Sequence, residues 1–138
     1  MLNIEIKTVP AKKMRYPTAG DYWEKRNKVF FRIVQLPDWR YEALIAIHEL
    51  VEYVLVKAAG IKVSDIDEFD MNFEAEREMG MHPDHEEPGD APDSPYHIQH
   101  AAATVAERCA AAIMFVSWQE YDNCLAGMVY PKMSRRRR

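Results

Sequence analysis

The chain has 138 residues, 48% of them hydrophobic and 29% charged, which fits one globular domain and leaves no room for two cores and a linker. No apolar run approaches the roughly 18 residues of a membrane span, and the first residues lack the continuous apolar stretch of a signal peptide, so a soluble, cytoplasmic protein with no membrane partner is expected. The formal net charge is −4; Arg135–Arg138 supply four positive charges, so the rest carries −8, which argues against dedicated nucleic-acid binding.

Leu2, Ile4 and Ile6 alternate with polar residues, the period of a half-buried strand over 2–9. Pro10 and Pro17–Gly20 interrupt regular structure, and 22–26 reads as a short helical turn or loop. Residues 28–34, KVFFRIV, are rich in β-branched and aromatic side chains and predict a second strand. Leu36-Pro37-Asp38 makes a turn, with Asp38 as N-cap of a helix over 39–59 that Gly60 stops. From Ala43 to Ala59 that helix is apolar nearly all round, interrupted by His48, Glu49, Glu52 and Lys57, so it should be central.

Ser64 is the expected N-cap of a second helix over 65–78, stopped by Gly80. Residues 81–93 form a proline-rich loop. Ser94 as cap and Pro95 in the first turn predict a third helix over 95–116, rich in alanine, and 118–129 predicts a short final one. The fold expected is α+β and mainly helical: two short N-terminal strands beside a core of three main helices, one domain over 1–134 and a basic tail at 135–138. Cys109 and Cys124 lie in apolar helical patterns and are expected as reduced core thiols. Trp39, Tyr41 and Trp118 flank the long helices and suggest a homodimer surface; no other protein or small-molecule partner is specified.

The chemistry concentrates at 48–52. His48 and Glu52 are one turn apart on one face, and Glu49 is displaced about 100° from His48 around the axis. Two carboxylates and an imidazole on an apolar helix need cations, hydrogen bonds or water. The third helix offers a matching stripe in which His97, His100, Thr104 and Glu107 fall within about 80° of arc. His48, Glu52 and His100 are therefore the candidate metal ligands, Glu49 the candidate base, and His97 and Glu107 further candidates. Mixed imidazole and carboxylate donors suit Zn²⁺, Mn²⁺ or Fe²⁺ better than Ca²⁺. The alternative is a structural polar notch in which His48 and Glu52 pair with each other.

The segment His48-Glu49-Leu50-Val51-Glu52 resembles the metal-binding HExxH helix of zincin metallopeptidases, with Glu52 where the family has its second histidine. That resemblance implies His48 and Glu52 as ligands and Glu49 as general base. Glu49-x-x-Glu52 also resembles the first metal motif of the all-alpha, MazG-like nucleotide pyrophosphohydrolases, which implies an acidic Mg²⁺ site; their downstream Glu-x-x-Asp pair has only imperfect substitutes here, Asp67-x-x-Asp70 and Asp70-x-x-x-Glu74. Twelve acids and a single Arg or Lys, Arg77, between Asp65 and Asp93 predict a solvated acidic face. Two function classes follow: a small acidic accessory or interaction protein carrying a His/Glu metal site, or a metal-dependent hydrolase of zincin-like or pyrophosphohydrolase-like type.

Overall fold

A computed structural model describes residues 1–83 and 85–129, so the tail at 135–138 lies outside the described residues. In chain order the elements are β1 (Ile4–Val9), a 3-10 turn (Ala11–Lys13), β2 (Gly20–Lys25), β3 (Lys28–Val34), α1 (Trp39–Ala58), α2 (Val63–Glu78), a second 3-10 turn (Pro88–Asp90), α3 (His97–Ile113) and α4 (Trp118–Val129). The fold is α+β and mainly helical. Among the described residues no single helix is long and apolar enough to cross a membrane.

The sheet has three strands in the order β1-β3-β2, with β1 parallel and β2 antiparallel to β3. The third strand is β2, where a helical turn or loop was expected over 22–26. Lys25 pairs with Lys28, so Arg26 and Asn27 form a two-residue hairpin turn, and Arg26 takes the left-handed φ of 58° that such turns require. The sequence lacks the Asn-Gly or Asp-Gly signal that marks such a turn, which is why the hairpin is hard to read from it. On β3, Val29, Phe31 and Ile33 point inward, while Phe30 stacks on Trp23 on the outer face. α1 lies over β2 and β3. β1 is an edge strand, and Ile4 and Ile6 stay exposed although their register partners Val29 and Phe31 are buried.

Asp38 caps α1 by accepting from the Arg40 N–H, and Gly60 follows the helix with φ 73°. α2 begins two residues earlier than expected, with Lys62 at the cap position and Ser64 inside the first turn. α3 begins at His97 rather than 95; Ser94 still accepts from the Tyr96 N–H, but two further residues turn before the helix is established. The loop between α2 and α3 is tied down by Arg77, which donates to Glu74 and to the Glu86 carbonyl, and by His82, which stacks on Phe73 and pairs with Glu76.

The core has three parts that meet along α1. Leu44 and Ile45 pack with Ile33, Val34, Ala111, Val116 and Tyr121. Tyr53 packs with Tyr22, Val29, Phe31 and Val63, and Val56 with Ile66 and Tyr96. The cysteines are not part of this core. Both are free; Cys124 on α4 is half-buried, and Cys109 is exposed because the buried face of α3 is the one carrying His100, Ala103, Glu107 and Ala111. Tyr41 and Trp118 pack on Tyr121, leaving Trp39 as the exposed member of the aromatic trio. Leu44 is fully buried, so Leu44→Ala should lower the unfolding free energy by about 2–5 kcal/mol in urea titration; a loss under about 1 kcal/mol would mean α1 is not the central element.

Candidate metal centre

α1 and α3 pack against each other, and alanine on α3 lets their backbones approach: Ala103 and Ala111 are both buried at the contact. This brings His100 of α3 against His48 and Glu52 of α1. All three side chains are buried, at 6%, 7% and 5% exposure. His48 Nε2 lies 3.2 Å from Glu52 Oε2 and 3.2 Å from His100 Nδ1, and His100 Nδ1 lies 2.8 Å from Glu52 Oε2. One atom from each residue therefore converges on one point.

The remaining polar atom of each residue is held from behind. His48 Nδ1 is 2.8 Å from Glu107 Oε1, whose other oxygen accepts from the Tyr121 hydroxyl at 2.7 Å. Glu52 Oε1 accepts from the Tyr22 hydroxyl at 2.9 Å. His100 Nε2 lies 3.0 Å from Glu87 and 3.3 Å from Asp90. If His48 donates from Nδ1 to Glu107, and His100 from Nε2 to the loop acids, both neutral rings turn a lone pair toward Glu52. Three acceptors at 2.8–3.2 Å repel one another unless protons or a cation lie between them.

Without a cation, protons fill that space. Burial pulls both imidazoles down, but carboxylate partners outweigh it. Glu107 and Glu52 raise His48 to about 10, and Asp90, Glu52 and Glu87 raise His100 to about 12. Burial pushes Glu52 up, but its bonds to His100 and His48 hold it at about 2. Glu49 differs. Burial, then the Glu52 charge, push it well above the usual carboxylate range, and no hydrogen bond or ion pair to it occurs among the described residues.

A cavity of about 90 Å³ opens beside the cluster, and Glu49, Asp70, Asp21, Tyr16 and Tyr96 share its wall with the three converging residues. Among its described lining residues there is no Lys or Arg. Asp70 is raised to about 7 by burial, against the bond from the Tyr96 hydroxyl at 2.7 Å. Arg15 holds Asp21 and Asp67 at the edge through bonds of 2.6 and 3.0 Å. Two glycines shape the site. A Cβ on Gly20 would stand 2.6 Å from Glu49 Cγ, and one on Gly89 would stand 2.4 Å from His100 Cγ.

His48, Glu49, Glu52 and His100 come together as the sequence suggests. Glu107 stands behind His48, on the nitrogen away from the converging atoms. His97 is outside the cluster; it is exposed and its Nδ1 lies 3.1 Å from the Gly89 carbonyl. Sequence reasoning missed Tyr22, Tyr121, Glu87, Asp90 and the two glycines. The run Glu87-Pro88-Gly89-Asp90, a rigid turn between two acids, is the one signal that points to the loop. Glu87 and Asp90 form a second group with His100, made from its other nitrogen. Comparisons with family models, curated proteins and solved structures find no match to this chain.

Proposed function

We propose that this protein holds one divalent metal ion on His48 Nε2, Glu52 Oε2 and His100 Nδ1, and uses it to activate water for hydrolysis with Glu49 as the base. The observation that carries the reading is the convergence of three donor atoms, each on a buried side chain whose other polar atom is already engaged. Tetrahedral zinc with bonds of about 2.0–2.1 Å spaces its donors about 3.3 Å apart, close to the 2.8–3.2 Å found here. Two imidazoles and one carboxylate are the donor set of metal centres that keep a position open for water. Zn²⁺, Mn²⁺ and Fe²⁺ suit these donors; Ca²⁺, which takes six to eight oxygens, does not. Carboxylates behind the histidines fix their tautomers, as metal-binding histidines require.

Glu49 is adjacent in sequence to a ligand, shares the cavity wall and has no partner of its own among the described residues, the placement a base needs to take a proton from bound water. The acidic wall without Lys or Arg favours a neutral or cationic reacting group over a pyrophosphate. A volume of about 90 Å³ admits a small group and water rather than a folded partner.

The test is metal analysis of purified protein by mass spectrometry, followed by Co²⁺ substitution and visible spectroscopy. One ion per chain is expected in wild type and almost none in His48→Ala or His100→Ala. Acetohydroxamate should shift the Co²⁺ spectrum by taking the open position. Glu49→Gln should keep the ion and lose hydrolysis of activated ester and anilide probes; an accessory protein would keep the ion and show no turnover in either form. Absence of an ion, with no Co²⁺ spectrum, overturns the reading. Uptake should also release protons, because the imidazoles bind metal only when neutral, so affinity should climb steadily from pH 6 to pH 9.

A further inference from the structure

α3 is amphipathic in the reverse of the usual sense. His100 and Glu107 face inward onto His48 and Glu52, with Ala103 and Ala111 buried beside them. The outward face is apolar. Ile98, Val105 and Ile113 are 76%, 68% and 75% exposed, and Ala101, Ala102 and exposed Cys109 fill the spaces between them. At 100° per residue these six positions fall within about 120° of arc, and no charged residue falls inside it. A soluble helix normally turns such a face to its own core.

Phe115, just past the helix, adds an independent observation. The Val116 N–H bonds back to the Ala111 carbonyl, the closure that puts a left-handed residue between them, and Phe115 takes φ 56°. Glycine is the residue that suits this position. Phe115 is instead a bulky side chain, 92% exposed. It is unfavourable for the backbone and for solvation, and among the described residues nothing covers it.

The four large side chains present on the order of 600 Å², at the upper limit of the largest apolar patch on a typical monomer. Fully covered, that area reaches the roughly 600 Å² per partner at the low end of specific interfaces. We propose that this face of α3 is the contact between two copies of this chain, packed antiparallel about a two-fold axis near Val105. An uncharged face meets its own copy without repulsion, and a two-fold contact requires that kind of self-complementarity. The residue pattern suits the axis: Ile98 stands opposite the partner's Ile113, and Ala102 opposite the partner's Cys109. Ala102 and Cys109, about one turn either side of Val105, leave room for the partner's helix to pack around that valine. The contact is independent of the metal reading, since it uses the opposite face of the helix.

Sedimentation velocity of the full chain at micromolar concentration, in EDTA and in Zn²⁺, tests the proposal. A dimer is expected in both. Val105→Glu should be a monomer with an unchanged far-ultraviolet circular dichroism spectrum, because the position is exposed within one chain. Phe115→Gly should relieve the backbone yet weaken association about tenfold or more. A wild-type monomer overturns the proposal, as does a dimer that Val105→Glu leaves intact, or a Phe115→Gly that changes only the melting temperature. α3 and α4 together, bent by 119°, also have the length and apolarity of a broken membrane span. Monomeric wild type that binds phosphatidylcholine vesicles through Val105 would therefore replace the dimer with a lipid surface.

Discussion

Glu52→Ala should destabilise the metal-free protein by about 3–5 kcal/mol and abolish metal uptake, because Glu52 is the shared counter-charge of two buried imidazoles. Removing it leaves His48 Nε2 and His100 Nδ1 facing each other at 3.2 Å with nothing between them to accept. The Tyr22 hydroxyl loses its acceptor at the same time. Either ring can shed its proton to reduce the repulsion, but Glu107 on one side and Glu87 with Asp90 on the other still favour the charged forms. Urea unfolding in EDTA measures the loss, and metal analysis measures uptake. Glu52→Gln keeps the shape and a carbonyl for Tyr22, so it should lose less stability while still binding metal poorly. A Glu52→Ala protein within about 0.5 kcal/mol of wild type would show that the three residues are not a coupled buried group.

The same groups fix the sign of the pH response. Glu52 is held below its ordinary 4.5, so its contribution is complete above 4.5 and lost as pH falls through about 2. His48 is raised above 6.5, so its contribution is complete below 6.5 and lost as pH rises through about 10. Metal-free stability from this cluster is therefore largest between those limits and declines above neutrality. The proposed metal should act in the opposite direction, since its affinity should grow as the imidazoles lose protons. The gap in melting temperature between metal-loaded and EDTA-treated protein should widen with rising pH.

The parts of the fold legible in the sequence are those set by local pattern. α1 announces itself by Asp38, a long apolar run and Gly60; its polar residues stand out because an apolar helix has no other reason to carry them. β2 is not legible, because Gly20-Asp21-Tyr22-Trp23-Glu24-Lys25 mixes a buried acid with aromatics on both faces. Asp21 is buried only because Arg15 reaches it from the preceding loop, a contact that no periodicity encodes. At the site, spacing on one helix predicts that His48 and Glu52 share a face, and a second spacing finds His100. Neither spacing can show that Glu107 stands behind His48 rather than beside it. That depends on how deeply α3 settles on α1 and on Tyr121 of α4 filling the space beyond. The loop acids are hidden for a different reason: Glu87 and Asp90 resemble any other solvated acids until the loop folds back over α3.

Gly89→Ala should be the most damaging change that removes none of the proposed ligands, lowering metal affinity about 10- to 100-fold and stability by about 1–3 kcal/mol. The added Cβ would lie 2.4 Å from His100 Cγ and 2.6 Å from His100 Nδ1, on a ring that is buried and has little room to turn. Two responses are available. If the ring moves, Nδ1 leaves the point where His48 Nε2 and Glu52 Oε2 converge. If the loop lifts instead, Glu87 and Asp90 leave His100 Nε2, and the ring loses what fixes its orientation. The loop resists lifting because the Gly89 carbonyl lies 3.1 Å from His97 Nδ1 and Arg77 holds the Glu86 carbonyl. Both responses displace His100, so the expected loss does not depend on which one the protein takes. Gly127→Ala is the control: its Cβ meets nothing within 4 Å on a helix, so it should leave metal affinity unchanged and raise stability by about 0.5–1 kcal/mol. Calorimetric Zn²⁺ titration of both variants separates steric displacement of His100 from a general effect of adding a methyl group. Wild-type affinity in Gly89→Ala would mean that His100 is not held by the loop, and that Nδ1 reaches the site by its own packing on α1.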